Sequence, residues 1–310
     1  MTKTTILITG ATGKTGFFAA KTLLENGYPV KAMARKESDT TKELETLGAE
    51  IVIANLLDLA SIEKSIQGVE RAYLVYPPED GLLEATANFI VAAQGAGVKA
   101  IVNMSQLPTR KYHTSALTRQ HWLAEQMLNN TNMLVTHIRP GFFAEMLYLM
   151  NGASILQEGK MYLQHGDAYH APIAGEDIGR SVAAILENPE KHNGKYHVLT
   201  GPDRLSQKDI AAITSQVLGT PIEYIAITDE QWADAMNQSG LPSEFLVKHL
   251  VQVGIDYRNG VFDEVTTTVE ELTGQKPMAM KTFVENNKSF FTPDFLQAYA
   301  EKMISDKQAA

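Results

Sequence analysis

The sequence predicts an α/β protein built on a doubly wound parallel sheet, followed by a smaller C-terminal α+β lobe. Two observations support this. Short apolar runs of strand length alternate with helical patterns over about the first half of the chain, and a glycine-rich turn separates the first run from the first helix. Alternating strands and helices imply parallel strands joined by right-handed crossovers. Such sheets bind ligands at the carboxyl ends of their strands.

The first strand and the first helix enclose the glycine turn. Ile6–Ile8 is too short for a helix and fits a fully buried parallel strand. The glycines follow with G-x-x-G-x-x-G spacing, and apolar residues at helical spacing continue to Gly27. Such a turn lets the backbone approach a pyrophosphate, and the helix N-terminus presents N–H groups to the anion. A turn without a ligand is the alternative. We predict a Rossmann-type nucleotide site whose phosphate-binding residues are Gly10, Thr12, Gly13, Lys14, Thr15 and Gly16.

The second strand predicts the choice of cofactor. Val30–Ala34 ends in Arg35 and Lys36, and Arg35 lies 19 positions after Gly16. An NAD-binding fold places an acid there to hold the ribose 2′-hydroxyl, whereas an arginine pairs with a 2′-phosphate. The pair therefore predicts NADP, used as NADPH. A solvated Arg-Lys pair at a strand end is the alternative.

The later strands place further candidates at the same edge of the sheet. Their predicted ranges are 51–54, 72–75, 100–104 and 133–138. The residues at their carboxyl ends should converge on one cleft and contact the cofactor; they are Asn55, Leu56, Tyr76, Pro77, Ser105, Pro140 and Phe142. Asn55 suits an adenine edge but is also a common turn residue. Ser105 suits the substrate or the nicotinamide, or else satisfies a backbone group. Phe142 suits a flat apolar ligand, and core packing explains it equally well.

Composition and chain length limit the possibilities. The chain has 310 residues, a formal net charge of −9 and no cysteine. The acidic balance argues against direct nucleic-acid binding, and the lack of cysteine excludes thiol catalysis, disulfides and cysteine-based zinc sites. No signal peptide or transmembrane run is visible, so we expect a cytoplasmic protein without a membrane partner.

After about residue 150 the alternation loosens. Short strands are expected at 160–163 and 169–173, and capped helix starts at Ser206 and Thr228. Thr267 or Thr268 should cap a further short helix. We therefore expect residues 1–150 to bind the nucleotide. Residues 151–310 should form a smaller substrate or partner lobe, continuous with the first domain and interleaved with it at the cleft.

Several motifs in this order resemble the NmrA-like branch of the atypical short-chain dehydrogenases. They are the turn T-G-A-T-G-K-T-G, Arg35, Tyr76-Pro-Pro, Met104-Ser-Gln, His121-x-x-x-Glu125, the segment 139–143, Leu199-Thr-Gly-Pro202 and the segment 268–277. The resemblance implies binding of NADP or NAD. Some members of this branch are NADPH-dependent reductases of quinones or dyes, whereas others sense the nicotinamide redox state and bind a regulatory partner. Sugar-nucleotide epimerases are more distant relatives.

The sequence departs from the wider superfamily at its catalytic pair, Tyr-x-x-x-Lys. Setting Glu125 on the glutamate that often follows this pair puts His121 at the lysine position and Leu117 at the tyrosine position. Leucine cannot transfer a proton. His121 could hydrogen-bond a ribose hydroxyl, or it could be an exposed histidine on a helix face. Tyr112, just before this helix, could approach the cleft or belong to a flexible loop. The catalytic candidates are thus His121, Ser105 and Tyr112.

The function that fits these features is NADPH-dependent reduction of an apolar, quinone-like acceptor, because such an acceptor can take its proton from water. The alternative is an NADP(H)-binding redox sensor that acts through a protein partner. A sugar-nucleotide epimerase-like enzyme ranks third, because Leu117 removes the usual acid/base.

Overall fold

A central parallel sheet organises the protein, as the sequence predicts. The computed structural model describes residues 3–239, 243–298 and 301, and of Leu147 and Tyr148 only the backbone. The strands in this part of the chain are β1 Ile6–Ile8, β2 Val30–Ala34, β3 Glu50–Ile53, β4 Arg71–Leu74, β5 Ala100–Met104, β6 Leu134–Pro140, β7 Lys160–Leu163, β8 Tyr169–His170, β9 Tyr196–Leu199, β10 Leu205–Ser206 and β11 Glu223–Ala226. Seven of them form one sheet in the order β3-β2-β1-β4-β5-β6-β9, with every neighbouring pair parallel. This order, wound outward from β1, confirms the Rossmann-type fold class.

Helices connect the strands. In the described residues they are α1 Gly16–Glu25, α2 Asp39–Thr46, α3 Leu59–Ser65, α4 Leu82–Ala96, α5 Ala116–Asn129, α6 Ala144–Glu158, α7 Gly175–Glu187, α8 Pro189–His192, α9 Gln207–Leu218, α10 Asp229–Ser239, α11 Glu244–Arg258, α12 Thr268–Thr273 and α13 Met280–Asn286, with a 3₁₀ turn at Lys288–Phe291. Among the described residues, none of these helices combines the length and the apolar character needed to cross a membrane.

The chain divides into two compact units. The first contains Met1–Pro140, Gly175–Leu199 and Thr267–Lys276, and the second contains Gly141–Ala174, Thr200–Thr266 and Pro277–Ala310. The first unit therefore holds the whole seven-stranded sheet. The second unit is α+β and holds two small sheets, parallel β11-β7 and antiparallel β10-β8.

The core of the first unit explains why its strands are apolar throughout. Ile6, Leu7 and Ile8 have no exposed surface, as expected for a central strand covered on both faces. On another side of the core, α7 packs directly on α1. A Cβ atom on Gly179 would lie 2.6 Å from the Cβ of Phe18 and 2.8 Å from the carbonyl oxygen of Thr15. Only glycine permits this approach of the two helices.

Beside its apolar core, the second unit contains a buried polar and aromatic cluster. Gln207 Nε2 lies 3.0 Å from His165 Nδ1 and 3.0 Å from His170 Nε2, and the Tyr257 hydroxyl lies 3.1 Å from His170 Nδ1. The His165 and Tyr257 rings are stacked with their centroids 3.9 Å apart. Burial lowers the pKa of His170 to about 3 and places that of His165 well below its ordinary value. Both rings are therefore neutral in the folded protein.

The strand expected at 169–173 is shorter than predicted. It covers only Tyr169–His170, and beyond it Ile173 makes an isolated parallel bridge to Phe143. Pro172 lies between His170 and Ile173, and it has no N–H group to continue the hydrogen bonding of the strand.

The helix starts agree with the sequence in two cases out of three. Ser206 and Asp209 form the capping box of α9, and Thr228 and Gln231 exchange the equivalent bonds before α10. Thr267 precedes α12, but its hydroxyl donates to the Glu271 carboxylate, 2.5 Å away, and accepts no backbone bond. Its side chain therefore does not cap the helix.

Candidate functional site

The glycine turn between β1 and α1 is folded tightly on itself. Gly10 has a φ of +56°, which favours glycine, and a Cβ there would lie 2.8 Å from Val75 Cγ1. A Cβ on Gly16 would lie 2.3 Å from the carbonyl oxygen of Gly10. Gly13 is exposed, and its Cβ would make only a tight 3.2 Å contact with that oxygen. The turn itself thus requires Gly10 and Gly16, whereas Gly13 leaves its outer surface open.

The N-terminus of α1 is suited to an anion. Thr15 is its N-cap residue, yet the Thr15 side chain caps no backbone N–H, and the first turn contains no acidic residue. The Thr15 hydroxyl instead lies 3.0 Å from the hydroxyl of buried Tyr73. Because a helix N-terminus carries unsatisfied N–H groups and partial positive charge, this end fits a pyrophosphate. Thr12 and Lys14 lie half-buried on the same turn.

The parallel order of the strands places most predicted site residues along one edge of the sheet. Asn55 and Leu56 follow β3, Arg35 and Lys36 follow β2, and the glycine turn follows β1. Further along the same edge, the segment 76–77 follows β4, Ser105 follows β5, and Pro140 ends β6. The first unit therefore brings these candidates together at the carboxyl ends of its strands.

Arg35 meets a carboxylate at this edge. Its Nη1 lies 3.8 Å from Glu79 Oε1, and the two side chains are 57% and 43% exposed. Glu79 belongs to the loop after β4, and its N–H donates to the carbonyl oxygen of exposed Pro77 over 2.8 Å. Tyr76 donates its hydroxyl to the carbonyl oxygen of Asp80 over 2.9 Å. The loop that carries Glu79 is therefore held by its own hydrogen bonds.

Asn55 serves the turn after β3. Its Oδ1 accepts a hydrogen bond from the N–H of Leu57 over 3.0 Å, and its own N–H donates to Ser61 Oγ over 3.1 Å. Asn55 therefore acts as a turn residue, which is the alternative given above for it. Leu56 is buried beside it. An adenine contact of Asn55 or Leu56 stays a prediction.

Ser105 belongs to a buried charged network. Its hydroxyl donates to Glu125 Oε1 over 2.7 Å, and Glu125 is fully buried. Arg139 holds the Glu125 carboxylate with two bonds, from Nε over 2.9 Å and from Nη2 over 2.6 Å. Thr109 Oγ1 lies 3.1 Å from Ser105 Oγ. Because the single proton of the Ser105 hydroxyl is donated to Glu125, Thr109 is the donor in its bond with Ser105. Ser105 can then only accept a further hydrogen bond.

A neutral chain of hydrogen bonds continues from this ion pair. Asn103 Nδ2 lies 3.1 Å from His137 Nδ1, His137 Nε2 lies 3.0 Å from Asn129 Oδ1, and Asn129 Nδ2 donates to the Tyr196 hydroxyl over 2.8 Å. The Arg139 guanidinium lies over the Tyr196 ring, 4.5 Å from its centroid. Burial, aided by the positive charge of Arg139, lowers the pKa of His137 to about 4. The neutral ring accepts at Nδ1 and donates at Nε2, so it satisfies both asparagines.

The other catalytic candidates differ in burial. His121 is 8% exposed on α5, and Leu117, one turn before it, is also buried. The interpretation of His121 as an exposed histidine is therefore wrong. Tyr112 is 82% exposed, with Lys111 Nζ 5.1 Å from its ring centroid. Among the contacts of the described residues, Tyr112 has none with the Ser105 network, and its catalytic role stays a prediction.

Phe142 belongs to the second unit. Its ring meets those of His165 and Tyr257 edge-on, at centroid distances of 6.1 Å and 5.7 Å. These contacts agree with the core-packing alternative for Phe142.

The second unit also contains a cavity of about 270 Å³. Its lining residues are Gln164, Gly166, Ala226, Ile227, Thr228, Asp229, Glu230 and Arg258. Arg258 and Asp229 are joined by an ion pair of 2.6 Å. None of the residues predicted to bind the cofactor or to act in catalysis lines this cavity.

Three features of the site were missed by the sequence interpretation. Glu125 served only as an alignment marker and Arg139 only as a motif residue, although together they fix Ser105. Glu79 has no signal in the sequence, since it follows no strand directly and belongs to no motif. The positions of Ser105 and Arg139 at the ends of neighbouring strands are a usable signal for Arg139, because such ends lie side by side. Glu125 lies on a helix and has no such signal.

Known proteins resemble this chain over nearly its full length. An NAD(P)H azoreductase of Xenophilus azovorans is 30% identical over 291 residues, which cover 92% of this chain and 99% of the relative. Quinone oxidoreductase 2 of Escherichia coli (strain K12) is 28% identical over 275 residues, covering 87% and 93%. The crystal structure of an NADPH-dependent quinone oxidoreductase from Escherichia coli, complexed with NADPH, superposes with a TM-score of 0.80 at 26% identity, covering 91% of this chain and 99% of the other.

The family comparison covers both units. The model of the NmrA-like family matches residues 2–284, a span that includes the glycine turn, the Ser105 network and most of the second unit. The resemblance predicted from the motifs is therefore confirmed, and this chain belongs to the NmrA-like family.

Proposed function

We propose that the protein is an NADPH-dependent oxidoreductase that transfers a hydride to an apolar, quinone-like acceptor. The observation that carries the proposal is the open glycine turn before the uncapped, acid-free N-terminus of α1, with Arg35 at the neighbouring strand end. The quinone oxidoreductase and azoreductase relatives support the same class of reaction.

Different residues of this chain bind different parts of the cofactor. The glycine turn and the α1 N-terminus bind the pyrophosphate, Arg35 and Lys36 bind the 2′-phosphate, and Asn55 and Leu56 contact the adenine. His121 donates to or accepts from a ribose hydroxyl, and Ser105 accepts a hydrogen bond. When bound, NADPH supplies the hydride. We also propose, as expected from the sequence, that residues 1–150 bind the nucleotide and residues 151–310 bind the substrate or a partner. The compact units divide the chain differently, because 141–150 belong to the second unit and 175–199 and 267–276 to the first.

In this mechanism the protein positions the cofactor and the acceptor for hydride transfer. Leu117 has no titratable group, and the Ser105 proton is donated to Glu125. A quinone-like acceptor collects its proton from water after hydride transfer, so no general acid is needed. The same arrangement disfavours the epimerase-like alternative, which requires an acid/base at the sugar.

The test is NADPH oxidation by the purified protein against a panel of quinones, azo and other dyes, and aldehydes, beside direct titration with NADPH. We expect turnover with quinone-like acceptors. Gly13→Val should abolish NADPH binding, because a branched side chain would occupy the phosphate position, while circular dichroism stays that of the parent. Normal NADPH binding by a folded Gly13→Val variant would contradict the assignment of the turn.

The same experiment separates the sensor alternative. Tight NADPH binding without turnover on any acceptor, together with cofactor-dependent capture of a protein partner, would favour a regulatory role. The proposal places the enzyme in the cytoplasm, which fractionation of the source cells tests directly.

A further inference from the structure

The Arg35–Glu79 pair spans the strand that leads into the glycine turn. Arg35 follows β2 and Glu79 lies in the loop after β4, and β2 and β4 are the two neighbours of β1. The glycine turn leaves β1 between them. The loop after β4 also touches the turn, because a Cβ on Gly10 would meet Val75. A carboxylate from one side of the turn therefore reaches the cation on the other side.

The loop holds Glu79 in this position before any ligand arrives. Gly81 has a φ of +104°, and a Cβ there would lie 2.7 Å from the Tyr76 hydroxyl. Tyr76 is bonded to the Asp80 carbonyl and Glu79 to that of Pro77. The carboxylate is thus presented by an ordered loop and not by a long free side chain alone.

We infer that Glu79 is a specificity-determining residue that weakens the preference for NADP over NAD by competing with the 2′-phosphate for Arg35. The inference rests on the proposed nucleotide site. A 2′-phosphate that binds Arg35 must share this arginine with the Glu79 carboxylate or displace the carboxylate from it. The two groups also repel each other, because both are anions. NAD carries a neutral hydroxyl at the same position and meets no such opposition. An exposed ion pair is weak enough to exchange with a ligand anion.

The test compares dissociation constants for NADP⁺ and NAD⁺ by calorimetric titration at low salt. The variants are Glu79→Gln, Arg35→Gln and the double variant, with Glu63→Gln as a control that removes one exposed acidic charge on α3. We expect Glu79→Gln to raise the NADP⁺/NAD⁺ affinity ratio about two- to tenfold, chiefly through tighter NADP⁺ binding. Glu63→Gln should leave the ratio unchanged. In the Arg35→Gln background the effect of Glu79→Gln should shrink.

The sign of the change decides between competing roles. If Glu79→Gln weakens NADP⁺ binding, Glu79 orients Arg35 toward the phosphate and the inference is overturned. An unchanged ratio in a variant that binds both nucleotides also overturns it, while the proposed function stands. Failure of the parent protein to bind either nucleotide removes the proposed function and the inference with it.

Discussion

The two arginine–carboxylate pairs at the carboxyl edge of the sheet are built in opposite ways. Arg35 and Glu79 form a single contact of 3.8 Å with both side chains largely in water. Arg139 and Glu125 form two contacts of 2.9 Å and 2.6 Å, and Glu125 has no exposed surface. The first pair flanks the glycine turn, whereas the second fixes the hydroxyl after β5.

The two pairs differ in whether a ligand anion can replace the carboxylate. Water already competes for the exposed pair, so a ligand anion can replace the carboxylate at little expense. Water cannot replace Arg139 at the fully buried Glu125, and removing the arginine would leave an uncompensated charge in the core. One pair is therefore available to a ligand, and the other is part of the framework that the ligand meets.

The largest expected effect is the loss of the buried carboxylate. Glu125→Ala should lower the free energy of unfolding by about 3 kcal/mol, because Arg139, whose side chain is only 23% exposed, is left without a counter-charge. Urea unfolding measures this. Glu79→Ala, the matched change in the exposed pair, should lower it by at most about 1 kcal/mol. Equal effects of the two substitutions would show that the pairs do not differ as their burial implies.

The second expectation concerns acid. His137 lies beside Arg139, and its pKa of about 4 is below the ordinary value near 6.5. Between these values the unfolded chain takes up a proton that the folded protein does not, so stability falls as the pH is lowered from about 6.5 to about 4. At full effect this difference corresponds to about 3 kcal/mol.

His137→Gln should therefore show a shallower loss of stability over this range than the parent, as measured by urea unfolding at several pH values. The buried histidines of the second unit act in the same direction in both proteins, so the difference between the two isolates His137. Identical slopes would mean that His137 is not held neutral.

The third expectation concerns the exposed pair. Arg35→Asp should reverse the preference for NADP, because it removes a charge-assisted bond and adds a second anion beside Glu79. We expect NADP⁺ affinity to fall by about 1.5–3 kcal/mol, or roughly ten- to a hundredfold, with NAD⁺ much less affected. Parallel titrations measure both. Equal losses for the two nucleotides would point to general damage at the strand end.

The smallest expected effect lies on the helix that carries Glu125. His121, four positions earlier on α5, is buried as well, and the proposal gives it an ordinary hydrogen bond to a ribose hydroxyl. His121→Gln should weaken NADPH binding by about 0.5–1.5 kcal/mol and leave the pH profile of turnover nearly unchanged. If turnover collapses while NADPH affinity is kept, His121 is a proton donor and not a ribose contact.

Much of the first unit could be predicted from the sequence, because its signals are local. Apolar runs of strand length and glycines at fixed spacing identify β1, its turn and α1 without any knowledge of distant residues. Arg35 and Ser105 were placed for the same reason, since each directly follows a strand. The strand expected at 169–173 ends at His170, because Pro172 interrupts the hydrogen bonding that the apolar pattern predicts.

The partners of these residues could not be predicted in the same way. Glu125 meets Arg139 because a helix face and a strand end come together in the folded unit, and no spacing in the sequence requires it. The Glu79–Arg35 contact depends likewise on two loops from opposite sides of β1. The burial of His121 also reflects packing of α5, which the polar neighbours in its sequence conceal.

The glycine at position 179 has a consequence for the order in which the protein can form during synthesis. Helix α1 emerges from the ribosome before α7, which packs against it through Gly179 and follows residues 141–174 of the other unit. The side of α1 that includes Ala19 stays uncovered until the chain between α1 and α7 has been synthesised. Uncovered apolar surface of this kind attracts chaperones and promotes aggregation. Nucleotide added to ribosome-bound chains should therefore begin to protect α1 from proteases only after α7 has emerged.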